Sequence, residues 1–207
     1  AYSEEEGNTL AGNTDIVLET RGLYKAFPGT IATNNVSFDV HRQEVHAIIG
    51  ENGAGKSTLC KLLTGLYQPD RGDIIFMGNK VSYRTTTEAM AAGINMVYQE
   101  RNLIPHLTGA QNIMLGNEIT KMGVILDERE IRATAYKIRD ELGIDIPLDM
   151  PVGHLSAGVQ QSIEIVRAFS TNPKLLILDE PTASLGEKEI KPFLNFITKI
   201  KKSMDIS

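Results

Sequence analysis

The chain has 207 residues, 42% of them hydrophobic, enough for one substantial core and a small second lobe. A formal net charge of -5 excludes a chain-wide electrostatic footprint for nucleic acid. The single cysteine, Cys60, excludes an internal disulfide and suits a reducing compartment.

No apolar run reaches the roughly 18 residues that suggest a membrane-spanning helix. Ala1–Thr9 is acidic and lacks the apolar stretch of a secretory leader, and residues 1–13 are expected to form a mobile tail. Ile16–Thr20 is predicted as the first strand. Tyr24-Lys25-Ala26-Phe27 runs into Pro28-Gly29, a turn that presents Tyr24 or Phe27, and core packing is the first expectation for either ring. Asn35–Val40 alternates, with Val36, Phe38 and Val40 on one face, as a half-buried antiparallel strand does.

Val45–Ile49 is a short apolar run, predicted as a buried strand. It leads into Gly50-Glu51-Asn52-Gly53-Ala54-Gly55-Lys56-Ser57-Thr58, which fits G-x-x-x-x-G-K-[ST] with Gly50, Gly55, Lys56 and Ser57 on the fixed positions. Glycines let the backbone wrap a polyphosphate with its N–H groups turned inward. Candidate nucleotide contacts are therefore Gly50, Asn52, Gly53, Ala54, Gly55, Lys56, Ser57 and Thr58. Lys56 is suited to neutralise the β and γ phosphates, and the Ser57 hydroxyl to meet Mg²⁺. Thr58–Gly65 reads as a helix whose positive N-terminal end faces the anion.

Pro69–Gly72 turns into a strand over Asp73–Gly78. A helix over Thr87–Gly93 stops on its glycine, and a strand over Ile94–Tyr98 delivers Gln99-Glu100. That C-terminal end is where open α/β sheets bind ligands. Residues 101–170 read as helices without intervening strands, a helical subdomain inserted into an α/β core made of 14–100 and 171–207. Thr108–Gln111 and Asp127–Glu130 have the spacing of capping boxes, and the second opens a helix with Ile131, Ala135, Ile138 and Leu142 on one face, ended by Gly143. Ser156 occupies an N-cap position before Ala157–Phe169. The apolar strand Lys174–Leu178 ends in Asp179-Glu180, two carboxylates that are costly to gather unless a cation is nearby; the bland alternative is a solvated strand end. Asp179 is suited to hold Mg²⁺, and Glu180 to accept a proton from an attacking water. A last helix is predicted over Glu187–Lys202.

Five elements thus stand in one order: an aromatic near Phe27, the phosphate loop, Gln99, Leu155-Ser156-Ala157-Gly158-Val159-Gln160-Gln161, and Leu175–Glu180. The chain resembles the nucleotide-binding domain of ATP-binding cassette (ABC) transporters over residues 14–207. Its phosphate loop and Asp179–Leu185 look most like the N-terminal cassette of a carbohydrate-uptake (ribose/galactose-type) importer ATPase. The resemblance implies a phosphate-loop NTPase core, mainly parallel sheet with an antiparallel β subdomain, plus the helical insertion. It implies that Phe27 stacks on adenine, overriding the expectation of core packing, and that Gln99 contacts Mg²⁺ and the attacking water. Ser156 and Gly158 would touch the γ-phosphate of ATP bound by a second cassette, in a head-to-tail pair. ATP and Mg²⁺ are the implied ligands, with Glu180, Gln99 and Lys56 as catalytic residues and Ser57, Gln99 and Asp179 around the metal. The implied partners are transmembrane permease subunits and a second ABC domain, not nucleic acid, and the implied location is cytoplasmic, peripheral on the inner face of the cell membrane.

Departures bear on turnover. The family signature is L-S-G-G-Q, but Ala157 replaces its first glycine and Val159 its glutamine, leaving Gln160 and Gln161 as possible substitutes. Gly186 stands where an aspartate is usual. The family places another strand and a catalytic histidine after the last helix, whereas His41, His46, His106 and His154 all precede Asp179, so the cassette reads as C-terminally truncated and these 207 residues as inactive alone. The leading expectation is an ATP-hydrolysing subunit energising import of a solute, a sugar by its branch. The runner-up is a nucleotide-binding switch without useful turnover. A third, an ABC ATPase acting on nucleic acid or ribosomes, is opposed by the acidic balance.

Overall fold

The computed structural model describes residues 15–99, 102–121, 123–183, 185–203 and 206–207, with 201–203 described by backbone only. The expected tail, Glu100 and Ser184 lie outside the described residues. Strands β1 (Ile16–Phe27) and β2 (Thr30–His41) form a long antiparallel hairpin closed by Pro28-Gly29. Gly29 has φ 81, as the glycine of a Pro-Gly type II turn requires. Leu18 faces Val40 and Thr20 faces Phe38, and Val36, Phe38 and Val40 lie on one face as the alternation of β2 predicts. Midway, Gly22 (φ 62) and Asn35 (φ 54) meet where the ladder shifts register, so the hairpin continues past the bulge and β1 extends to Phe27.

On the other edge of β1 lies β3 (Arg71–Phe76), followed by β4 (Asn79–Val81), giving the order β2-β1-β3-β4. Met77 (φ 50) and Gly78 (φ 77) form the tight β3–β4 turn, and both positive φ values suit the twist of a two-residue hairpin. Helix α1 (Lys56–Leu63) follows the phosphate loop and packs Leu59 and Leu63 with Leu18, Leu23, Ile74 and Phe76 in one core.

Helix α2 (Thr86–Ala92) starts on a Thr85 cap and ends on Gly93 with φ 105. Strand β5 (Ile94–Val97) pairs in parallel with β8 (Leu175–Leu178) in register Ile94↔Leu175 to Val97↔Leu178. Buried Asn95 ties the crossover to this pair, donating to Ala168 O at 2.8 Å and Thr171 Oγ1 at 2.9 Å. Between them come α3 (Gly109–Met114), α4 (Glu128–Glu141) and α5 (Ala157–Phe169), and α6 (Glu187–Ser203) follows β8. Ile113, Ile131, Ala135, Leu142, Ile163 and Phe193 are the centre of a second core. The Thr108 capping box is complete, with Thr108 N donating to Gln111 Oε1 at 2.9 Å and Gln111 N to Thr108 Oγ1 at 3.2 Å.

Two expectations are corrected. The block 101–170 is not free of strands: Thr120–Lys121 (β6) and Ile125–Leu126 (β7) make a small hairpin whose Val124 and Ile125 face solvent. It is too short to register as a period-two pattern. Val45–Ile49 is not a strand, and Ile49 is 93% exposed. A strand needs a neighbour for its N–H and C=O groups, and among the described residues none pairs with this segment. An apolar cavity of about 380 Å³ separates Val45–Ile48 from the edge of β8. On that edge Ser207 donates to Lys174 O at 3.2 Å and accepts from Leu176 N at 2.9 Å.

Candidate functional site

Gly55 fixes the phosphate loop in place. Its φ of 89 lies in the left-handed region, and a Cβ there would stand 1.9 Å from the carbonyl oxygen of Ala32. Only glycine lets the loop press so closely on β2. Gly53 also has positive φ, 84, but faces open space, where a polyphosphate has room to approach. Ala54 N donates to Glu51 O at 3.1 Å, closing a turn in the loop, and Leu59 N donates to Gly55 O at 2.9 Å as α1 begins. The Lys56 ammonium donates to two carbonyls, Gly50 O at 2.8 Å and Glu51 O at 2.9 Å, and among the described residues no carboxylate pairs with it.

The parallel pair carries its polar residues to the same place. Asp179, 6% exposed at the end of β8, accepts from Ser57 Oγ at 3.0 Å, and its N–H donates to Val97 O at 3.0 Å. Glu180 is exposed and has φ 47, an uncommon conformation for a side chain of this size and one that collects at functional sites. Gln99 Nε2, beyond the end of β5, donates to Glu180 Oε2 at 3.2 Å. Ser57, Asp179, Glu180 and Gln99 are thus linked pairwise around the phosphate loop, although Ser57 is 122 residues from Asp179 and Gln99 is 81 from Glu180. Beneath Asp179, burial and the aspartate charge push the Cys60 thiol up to about 11, so Cys60 is an inert core residue.

Phe27 is 37% exposed at the Pro-Gly turn, so it is not part of the buried core. Tyr67 meets it edge-on at 5.3 Å, and the Lys25 ammonium lies 5.6 Å from its centroid. Lys25 is held by Asp70 at 2.8 Å, and the Ala26 N–H together with Lys25 keeps the Asp70 carboxyl below its ordinary value. The sequence reading passes over Tyr67, and only its place just past Gly65 could have flagged it.

Ser156 and Gly158 stand apart, at the start of α5, and among the described residues no hydrogen bond joins them to the phosphate loop. Ser156 caps the helix, its Oγ accepting from Val159 N at 3.4 Å. Gln160 and Gln161, the candidates to stand in for the signature glutamine, both make contacts within this chain. Gln160 Nε2 is spent on Val152 O and Leu155 O, both at 2.9 Å, and Gln161 is 3% exposed. Glu189 of α6 is the side chain that meets Ser156 and Gly158, and the sequence reading does not single it out.

No cluster of three His, Cys, Asp or Glu side chains suited to a metal occurs among the described residues. The Ser57–Asp179 oxygen pair nonetheless suits Mg²⁺, which usually takes one or two protein ligands and completes its shell with water and phosphate oxygens. No described helix is long and apolar enough to cross a membrane.

Residues 33–183 match the family model described as ABC transporter. The chain is 44% identical over 188 residues to the putative ribose/galactose/methyl galactoside import ATP-binding protein 1 of Agrobacterium fabrum, covering 91% of this chain and 37% of that protein. It is 45% identical over 197 residues to the galactose/methyl galactoside import ATP-binding protein MglA of Salmonella typhimurium, covering 95% and 39%. The chain therefore spans a little over a third of the length of these curated relatives. Among solved structures, a nucleotide-free ATP-binding cassette from an ABC transporter superposes with TM-score 0.81 at 28% identity over 92% of this chain and 79% of that one. An ATP-binding cassette in its ADP conformation does so at 29% identity, with TM-score 0.81 over 92% and 78%.

Proposed function

From the premise that this chain belongs to the ABC transporter family, we propose that it is the ATP-binding and ATP-hydrolysing part of an importer, with a sugar as the transported solute. The observation that carries the reading is the convergence of Ser57 with Asp179 and of Gln99 with Glu180 at the phosphate loop. In this reading the loop N–H groups of Gly50–Thr58 cradle the phosphates, and Lys56 exchanges its two carbonyl partners for phosphate oxygens. Phe27 stacks on the adenine. Mg²⁺, held by Ser57, Gln99 and Asp179, supplies charge neutralisation on the phosphates. Glu180 takes the proton of the attacking water, and its bond to Gln99 aims the carboxylate. Ser156 and Gly158 receive the γ-phosphate of a second cassette's nucleotide, which makes the functional unit a head-to-tail pair.

The proposed organisation keeps 14–100 and 171–207 as the α/β core with its antiparallel subdomain, and 101–170 as the helical subdomain. The transmembrane permease subunits would bear on the groove beside Gln99, and the protein would lie on the inner, cytoplasmic face of the membrane. The two relatives are named as import ATP-binding proteins, one for ribose, galactose and methyl galactoside and one for galactose and methyl galactoside, which supports the sugar class. The test is phosphate release by the full-length protein together with its permease. Sugar-dependent ATP turnover abolished by Glu180→Gln is expected. Turnover that persists in that variant would overturn the role of Glu180, and uptake of no sugar among ribose and galactosides would overturn the substrate class.

A further inference from the structure

Glu189 serves two helix starts at once. As the third helical residue of α6, its Oε2 accepts from Gly186 N at 3.0 Å, the return half of a capping box. Its Oε1 leaves α6 and lies over the start of α5, 3.4 Å from Ser156 Oγ and 3.3 Å from Gly158 N. The fit is close, since a Cβ on Gly158 would fall 2.6 Å from that oxygen. A carboxylate is welcome there because the first N–H groups of a helix lack internal partners and carry the positive end of the dipole.

Ser156 Oγ and Gly158 N–H are also the two donors assigned above to the γ-phosphate of a second cassette's nucleotide, and this inference rests on that reading. One pair of donors cannot serve two anions, and placing a phosphate beside the carboxylate would set like charges at contact distance. The contacts to α5, at 3.3 and 3.4 Å, are longer than the bond to Gly186 at 3.0 Å. Because the bond to Gly186 uses the other carboxylate oxygen, Glu189 can let go of Ser156 and Gly158 without losing its own helix cap. Ser156 is exposed and Glu189 half-buried, so a partner can reach both.

We propose that Glu189 is an internal stand-in for the partner's γ-phosphate, which occupies the signature donors until the composite site closes. It has to be displaced at closure, and so raises the ATP concentration at which two cassettes pair. A nucleoside diphosphate presents no γ-phosphate and does not compete with it, so Glu189 separates ATP from ADP at the signature.

The experiment measures closure of the cassette pair against Mg-ATP concentration in the full-length protein, with Glu180→Gln present throughout to prevent turnover. Glu189→Gln keeps the side chain's shape and its Gly186 bond but removes the charge. Half-maximal closure is expected at a roughly tenfold lower ATP concentration, the order of one charge-assisted hydrogen bond released. Mg-ADP affinity is expected to stay within about twofold. An unchanged or higher ATP concentration in Glu189→Gln would overturn the proposal, as would a lowered melting temperature with no shift in closure, the result of a purely structural cap. Ser156→Ala added to Glu189→Gln tests the underlying reading separately. It is expected to weaken closure, and no effect would show that the signature does not touch the phosphate, whatever Glu189 does.

Discussion

The Ser57 hydroxyl donates to the Asp179 carboxylate at 3.0 Å, joining the first turn of α1 to the end of β8. Asp179 is 6% exposed, and no lysine or arginine contacts it among the described residues. A buried carboxylate held by one hydroxyl lacks full compensation, and a divalent cation beside it would supply what is missing. Asp179→Asn should therefore keep the fold, with equal or higher thermal stability without nucleotide, since it removes a buried charge. It should also lower Mg-ATP affinity by about tenfold or more while leaving Mg-free ATP binding nearly unchanged. Calorimetric titration with and without Mg²⁺ checks this. An equal loss in both conditions would show that Asp179 acts on the nucleotide rather than the metal.

Glu180 is exposed, in a positive-φ conformation, and is bound at 3.2 Å by the Gln99 side chain. Glu180→Gln preserves size and backbone but cannot accept the proton. ATP affinity should remain within a few-fold, while single-turnover hydrolysis falls by about 10² to 10⁴. Rapid-quench measurement of phosphate formation separates the two quantities.

Most of the site was legible because each part is a local signal: the glycine spacing of Gly50–Ser57, the apolar run ending in Asp179-Glu180, the Ser156 cap and the Pro28-Gly29 turn. The meeting of Ser57 and Asp179 followed from the shared Mg²⁺ role read for each, whereas the place of Gln99 beside Glu180 was carried only by the family resemblance. Val45–Ile49 failed because apolar β-branched character describes a candidate strand, whereas a strand exists only with a neighbour. The β3–β4 hairpin was missed because Met77 is an unusual residue for a turn with φ 50. Glu189 was missed because its contacts at Ser156 and Gly158 lie on another helix, beyond any spacing rule.

Phe27 meets Tyr67 edge-on at 5.3 Å and is 37% exposed. Phe27→Ala should reduce ATP affinity by about 1–3 kcal/mol, the usual worth of a base stacked on an aromatic ring. Phe27→Tyr should retain it. Tyr67→Leu should cost less, about 0.5–1.5 kcal/mol, because it removes only the support of the ring. Binding of inorganic triphosphate, which has no base, should be unaffected in all three, and a loss there would mean that the hairpin shapes the phosphate loop instead.

Gly53 and Gly55 separate backbone strain from close approach. Both have positive φ, but a Cβ at Gly53 meets open space while one at Gly55 would stand 1.9 Å from Ala32 O. Gly53→Ala should lower stability by about 1–2 kcal/mol, the cost of the left-handed conformation alone. Gly55→Ala should lose more, because the loop must lift off β2, and its ATP affinity should fall with it. Urea unfolding measured alongside ATP titration checks both, and equal costs for the two variants would show that the contact with Ala32 yields freely.

Arg132 and Tyr136 on α4 both bind Asp149, with Arg132 Nε at 2.6 Å, Arg132 Nη2 at 2.8 Å and the Tyr136 hydroxyl at 2.7 Å. The guanidinium, then the phenol, hold the Asp149 carboxyl down to about 2, from an ordinary 3.8. A lowered carboxylate favours the folded state above the ordinary value, and that contribution is lost as pH falls from 3.8 toward 2. The side chains are 62% and 49% exposed, so solvent screens the pair and its contribution is small. Asp149→Asn should therefore shift the urea midpoint downward by a modest, constant amount above about pH 5, and the gap to the unsubstituted protein should close as pH falls toward 2. A gap that persists at low pH would assign the effect to packing of Tyr136 rather than to charge.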